Sequence, residues 1–249
     1  MSFKDHFSTQ AMDYAKHRPD YPEALFAYLS TLVAEHERAW DCGTGNGQAA
    51  LGLVPHFARI IATDPSAKQI AHAAPHEKIV YRVAPAEQTD IPTHSIDLIA
   101  VAQALHWFDF EKFYVEVRRV LKPNGVLAAW CYNLLECEPD VDALLNEFYS
   151  EIVGPYWPPE RKLIEGNYRD IPFPFQIRDS PRFYMEAYWR CEDLLGYLGT
   201  WSSVQRFIAQ HGDDPREQIY ERLAQAWGEA ANTKPIKWPL HLKVGRLRS

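Results

Sequence analysis

Residues 38–50 read Arg-Ala-Trp-Asp-Cys-Gly-Thr-Gly-Asn-Gly-Gln-Ala-Ala, and their order decides the fold. Arg38 to Asp41 suits a short strand. Gln48 to Val54 suits a short helix with Leu51 and Val54 on one face, ended or kinked by Pro55. Between them Gly43, Gly45 and Gly47 alternate. Glycine there frees the backbone for positive φ and lets it approach a ligand closely. A glycine-rich turn from strand to helix is where open α/β sheets bind ligands.

Outward from the turn, the same rhythm repeats. The spacing predicts a helix over 23–32, a strand over 59–63 and a helix over 66–74. Strands follow over 80–83 and 95–102, the latter apolar enough to be buried on both faces. Phe110 to Leu121 reads as a helix capped by Asp109, stopped by the Lys122-Pro123-Asn124-Gly125 turn. Val126 to Trp130 is the next strand. Strands alternating with helices imply an α/β fold: a doubly wound, Rossmann-like, mostly parallel seven-stranded sheet with helices on both faces. After Tyr132 the pattern changes. Helices are expected over 140–152, 192–211 and 214–230, and strands over 183–189 and 236–244. The stretch 154–174, rich in Pro and aromatics, reads as a cap or lid insertion. The chain reads as a single domain over 1–249: an N-terminal segment (1–35), a core (36–132), a cap insertion (133–182) and a C-terminal completion of the sheet (183–249).

Two ligand classes fit the turn. Gly45-x-Gly47-x-x-Ala50 matches a dinucleotide fingerprint read literally. A dinucleotide, however, brings a diphosphate to the helix start, and Asp41 at the strand end would repel it. S-adenosylmethionine has no phosphate, and Asp41 can pair with its α-ammonium. Asp64, about twenty residues beyond the turn, sits where an acid accepts hydrogen bonds from an adenosine ribose; a helix cap before Pro65 is the alternative. Ala86 and Glu87, after the third strand, are placed to flank an adenine.

Bulk properties narrow the field. The formal charge of −7, with no long basic run, argues against a nucleic-acid partner. Residues 232–249 carry Lys234, Lys237, Lys243, Arg246 and Arg248 without an acid, and read as a final edge strand with solvated charges. Cys42, Cys131, Cys137 and Cys191 form no C-x-x-C pair, and neither a signal peptide nor a membrane-spanning apolar run is present. A reduced, cytoplasmic, non-membrane protein without a metal site is expected. His72 and His76 read as surface residues because Pro75 interrupts them.

The chain resembles the class I S-adenosylmethionine-dependent methyltransferases, in their type 11 small-molecule branch. The likeness rests on the glycine turn, Asp64, Ala86-Glu87, 95–99, the run Ala102-Gln103-Ala104-Leu105-His106-Trp107-Phe108, and 121–125, in the family's order and spacing. The flanks look like the trans-aconitate methyltransferase-like proteins: Phe7-Ser8, Tyr14, Arg18-Pro19-Asp20-Tyr21-Pro22, Trp157 to Arg161, and 200–203. Trp40 departs from the smaller aliphatic residue of many relatives. The resemblance implies S-adenosyl-L-methionine as cofactor, S-adenosyl-L-homocysteine as product, and an N-terminal segment folded over the cofactor. It implies that Asp41 serves the methionine end, Asp64 binds the ribose and Gln103 lies beside the methyl group. Gly43, Thr44, Gly45 and Gly47 form the cradle.

Methyl transfer is an in-line displacement, which needs alignment and exclusion of water. A carboxylate acceptor needs no base; a hydroxyl or amine does. His106 is the candidate base or positioning group, and we favour a packing histidine, since positioning alone can suffice. Tyr14, Trp107 and Trp130 are candidates for cation–π contact with the sulfonium. Arg18 is the candidate anchor for a carboxylate. Tyr168, Arg169 and Trp201 are further candidates for the substrate pocket. The competing readings are an NAD-dependent oxidoreductase, for which no hydride-transfer apparatus is evident, and a non-catalytic protein that binds S-adenosylmethionine. The acceptor and the oligomeric state are not readable from the residues.

Overall fold

Trp40 and Asp41 point to opposite faces of one strand, and that alternation organises the interior. The computed structural model describes residues 19–247. Eight strands make one sheet: β1 (Arg38–Cys42), β2 (Arg59–Asp64), β3 (Ile79–Val83), β4 (Ile96–Ala102), β5 (Leu121–Tyr132), β6 (Gln176–Arg178), β7 (Phe183–Trp189) and β8 (Lys234–Arg246). They lie in the order β3-β2-β1-β4-β5-β8-β6, with β7 also paired to β8. The first five are parallel, and β8 runs antiparallel to β5, β6 and β7. Chain order reverses between β1 and β4, so a crevice opens at their carboxyl ends.

On one face, Leu25, Phe26 and Leu29 of α1 (Glu23–Thr31) and Ala49, Ala50 and Leu53 of α2 (Gln48–Leu53) pack with Trp130 and Trp238. On the other, Phe113, Val117 and Val120 of α4 (Phe110–Val120) pack with Trp40, Ile99 and Val101. The intervening α3 (Ala67–Ala71) is capped by Ser66, not by Asp64. Asp109 caps α4, accepting from the Lys112 amide. Trp40 is fully buried; its Nε1 donates to Thr63 Oγ1 at 2.9 Å and its ring meets Phe113 at 6.4 Å. The large residue is thus accommodated as core, with its one polar atom satisfied.

Three expectations are corrected. The sheet has eight strands rather than seven, because Gln176–Arg178 adds a short strand. The basic C-terminal strand is not an edge: β8 has β5 on one side and β6 and β7 on the other. Its cations are engaged, Lys234 with Glu138, Lys237 with Glu186, Lys243 with the Ile171 carbonyl and Arg246 with the Leu32 carbonyl. The helix expected over 192–211 is two helices, α7 (Cys191–Gly199) and α8 (Ser202–His211), broken at Thr200 and Trp201. In chain order α5 (Pro139–Glu147) and α6 (Arg161–Glu165) lie between β5 and β6, and α9 (Tyr220–Trp227) follows α8. Among the described residues no helix is long and apolar enough to cross a membrane.

Asp97, 3% exposed, ties the entry of β1 to β4. Its carboxylate accepts from the amides of Glu37 and Arg38 at 2.9 and 2.8 Å and pairs with Lys122 at 2.9 Å. Asp97→Ala strands those donors, so we expect a loss of about 2–4 kcal/mol in denaturant unfolding. A loss below about 0.5 kcal/mol would show that the tie carries no weight.

Candidate active site

The glycine turn is held from behind. The Gly43 and Thr44 amides both donate to the Thr63 carbonyl at 2.9 Å, and Gly45 N donates to Asp64 Oδ2 at 2.9 Å. Asp64 Oδ1 accepts from Ser66 N at 2.8 Å, so this carboxylate links the turn to the end of β2. A Cβ at Gly43 would lie 2.6 Å from Ala104 Cβ, and one at Gly47 2.4 Å from the Tyr81 hydroxyl. Gly45 has φ +56° and open space where a side chain would project. The turn is therefore a cradle closed at two glycines and open at the third.

Asp41 is fully buried beside it. Thr44 Oγ1 donates to its Oδ2 at 2.5 Å, while Oδ1 has no hydrogen-bond partner among the described residues. Burial pushes its carboxyl up to about 7, opposed by the Thr44 hydrogen bond and the nearby Ala50 amide and reinforced by the Asp64 charge. A buried carboxylate oxygen without a donor is costly. It is a fitting seat for a cationic group and a poor one for diphosphate. The cradle and this orphaned oxygen together fit S-adenosylmethionine.

Beyond the cradle, a cleft of about 670 Å³, open mouth included, lies over the ends of β4 and β5. Gln103, His106, Trp107, Asn133, Trp157, Arg161 and Trp201 line it, among others. The break between α7 and α8 places Thr200, Trp201 and Ser202 on its wall.

Gln103 leaves β4 with φ 53°. Its amide side chain pairs with the Tyr132 backbone, donating at 3.1 Å and accepting at 2.9 Å. It thereby ties the strand ends together where it lines the cleft. Glu87 is likewise engaged, its Oε1 accepting from Asp109 N at 2.9 Å, and Ala86 is buried. His106 lies in a single tight turn, Leu105–Trp107. Its Nδ1 is 2.8 Å from the Tyr168 hydroxyl, and burial, with Arg161 nearby, pulls its pKa down to about 3.

Three expected pocket residues lie elsewhere. Trp130 is buried in the core against Tyr21 and Phe26, with ring centroids 5.4 and 6.3 Å away. Tyr168 is fully buried behind His106, and Arg169 is exposed, donating to the Gly166 carbonyl. Neither lines the cleft. Tyr14 and Arg18 lie outside the described residues.

Arg161 is the residue that sequence reading passed over. It opens α6 after Pro158 and Pro159. Its guanidinium lies 4.6 Å from the Trp157 ring centroid and 5.2 Å from that of Tyr149. Its Nε donates to Tyr149 Oη at 2.7 Å and Nη2 to Asn133 Oδ1 at 3.0 Å. Among the described residues it has no carboxylate ion pair. The signal was a cation set among aromatics and prolines. No group of three or more His, Cys, Asp or Glu among the described residues is placed to hold a metal.

Fold and glycine cradle together define a protein of the doubly wound, ligand-binding kind. The Methyltransferase domain family matches residues 40–129. A Dictyostelium discoideum protein described as a candidate methyltransferase is 34% identical over 229 residues, spanning 90% of this chain and 87% of that protein. A solved structure from Anaeromyxobacter dehalogenans, described as a candidate type II methyltransferase, shares 42% identity and a TM-score of 0.88 over 93% of this chain and 99% of that one. The fold is also that of Haemonchus contortus phosphoethanolamine N-methyltransferase 2, solved with phosphomonomethylethanolamine and S-adenosylhomocysteine: 15% identity, TM-score 0.50, over 98% of this chain and 60% of that one. The chain belongs to the class I S-adenosylmethionine-dependent methyltransferases.

The raised pKa of Asp41 gives a signed expectation. Below about pH 7 the carboxyl of the free protein keeps its proton; above it the carboxylate is ready for a ligand ammonium. Cofactor affinity should therefore rise with pH, by about tenfold from pH 6 to pH 8, and level off above. For folding the sign is opposite. The unfolded Asp ionises at its ordinary value, so stability falls as pH rises from there towards 7. Calorimetric titration with S-adenosylhomocysteine tests the first statement, and a flat profile contradicts it.

Proposed function

We propose that this methyltransferase acts on a small carboxylate, its anionic end held by Arg161 and its apolar body against Trp107, Trp157 and Trp201. The observation that carries this reading is the partly buried Arg161 guanidinium, which lines the cleft with only neutral partners among the described residues. Desolvating a cation without a counter-charge is unfavourable. A guanidinium braced by stacking is well formed to take a carboxylate through two hydrogen bonds. The low pKa of His106 supports the same reading, because a ring so reluctant to accept a proton is a weak general base. An ionised carboxylate needs none.

For the cofactor, we assign the α-ammonium to Asp41, steadied by Thr44, and the turn Gly43 to Gly47 to the methionine end. Asp64 takes the ribose with the lone pairs that its two amide bonds leave over. Ala86 walls the adenine, and Glu87 and Gln103 act by fixing the loop and strand end they bind. When bound, the cofactor supplies an electrophilic methyl carbon; the protein's share is to aim the carboxylate oxygen along the S–CH₃ axis and keep water out.

Residues 1–35 are assigned as a cofactor-covering segment that includes Tyr14 and Arg18. Gln48, at the start of α2, holds the Pro19 carbonyl and Asp20 at 2.8 and 3.0 Å, so the described chain enters beside the cradle. Residues 133–182 act as the cap, since Asn133, Trp157, Arg161 and Ile164 line the cleft, and 183–249 complete the sheet and lend it Trp201.

Arg161→Leu should raise the KM for a carboxylate acceptor on the order of 100-fold while cofactor affinity holds. Methyl-transfer assays over a panel of acids, phenols and amines measure this. A wild-type enzyme that prefers neutral phenols or amines, with the variant indifferent, would refute the assignment.

A further inference from the structure

The insertion contains an unusual pair. Asn167 and Tyr168 are consecutive non-glycine residues with left-handed backbones, φ 54° and 59°. For a residue as bulky as tyrosine that conformation is strained and persists only where the surroundings impose it. The ring it delivers is fully buried. Its hydroxyl meets His106 Nδ1 at 2.8 Å, with the rings 5.9 Å apart between centroids.

The direction of that hydrogen bond follows from the burial of the hydroxyl. Away from solvent a phenol O–H needs an acceptor, and the acceptor beside it is His106 Nδ1. His106 then carries its own proton on Nε2. His106 belongs to the cleft wall, and Nε2 has no protein partner among the described residues.

We propose that Tyr168 is a positioning residue that locks His106 in the Nε2–H tautomer, so that the ring offers the cleft a hydrogen-bond donor and joins Arg161 in selecting an anionic acceptor oxygen. The selectivity half of this statement rests on the carboxylate reading of Arg161; the tautomer half does not. A neutral donor beside a fixed cation suits a group that only accepts hydrogen bonds. It disfavours an amine or phenol, whose own N–H or O–H would face a donor with no base to receive the proton.

The test uses the full chain with bound S-adenosylhomocysteine. Long-range ¹H–¹⁵N correlation spectra should show His106 protonated on Nε2 and bare on Nδ1. Tyr168→Phe should lose that preference and lower kcat/KM for a carboxylate by about tenfold, with cofactor affinity retained. His106→Gln keeps an N–H near the Nε2 position. It should cost less than about tenfold, against about a hundredfold for His106→Leu. A proton on Nδ1 in the wild type overturns the proposal, as does a Gln variant no better than Leu. The spectrum and the two His106 variants decide it even if Tyr168→Phe does not fold. If the wild type methylates no carboxylate, the reading of Arg161 fails, and with it the selectivity half of this proposal. The spectrum alone still decides the tautomer.

Discussion

One buried carboxylate oxygen sets the logic of this molecule. Asp41 lies on the strand that precedes the glycine turn, shielded from solvent and with one oxygen lacking a hydrogen-bond partner among the described residues. A protein that only needed a tight turn there would gain by replacing it. Thr44 steadies the other oxygen, Asp64 and Thr63 hold the turn, and Tyr81 and Ala104 close it at Gly47 and Gly43. These contacts hold an otherwise unfavourable group in place.

The second half of the site is assembled from departures from regular structure. Gln103 leaves β4 in a left-handed conformation, and α7 gives way to α8 at Thr200 and Trp201. Asn167 and Tyr168 turn back under His106. Each departure brings a side chain to the cleft or to the residue that lines it. The segment between β5 and β6 supplies Arg161, a cation without a carboxylate partner among the described residues, and the turn after β4 supplies a histidine whose pKa burial pulls down to about 3. Cradle and cleft thus have opposite electrostatic character, acidic at the one and cationic at the other.

What was legible in the sequence was what local chemistry dictates. Three alternating glycines between a strand and a helix, Asp109 as a cap and apolar runs in β4 and β5 all announce themselves without neighbours. Two features did not. The apolar spacing of Leu194, Leu198, Val204 and Ile208 continues across the break between α7 and α8, so periodicity alone reads one helix. The basic residues of β8 suggested an edge because charge is usually solvated, yet each named cation finds a partner once the sheet is closed around it. Tyr168 was singled out as a pocket residue, and its burial behind His106 is a long-range contact that no local pattern encodes.

The most direct measurement compares S-adenosylhomocysteine with its analogue lacking the α-amino group, bound to the wild-type protein and to Asp41→Asn. If the buried carboxylate exists to seat that ammonium, removing the amino group should weaken binding to the wild type on the order of 100-fold and to the variant hardly at all. Equal losses in both proteins, or none in the wild type, would mean that Asp41 answers to something other than the cofactor.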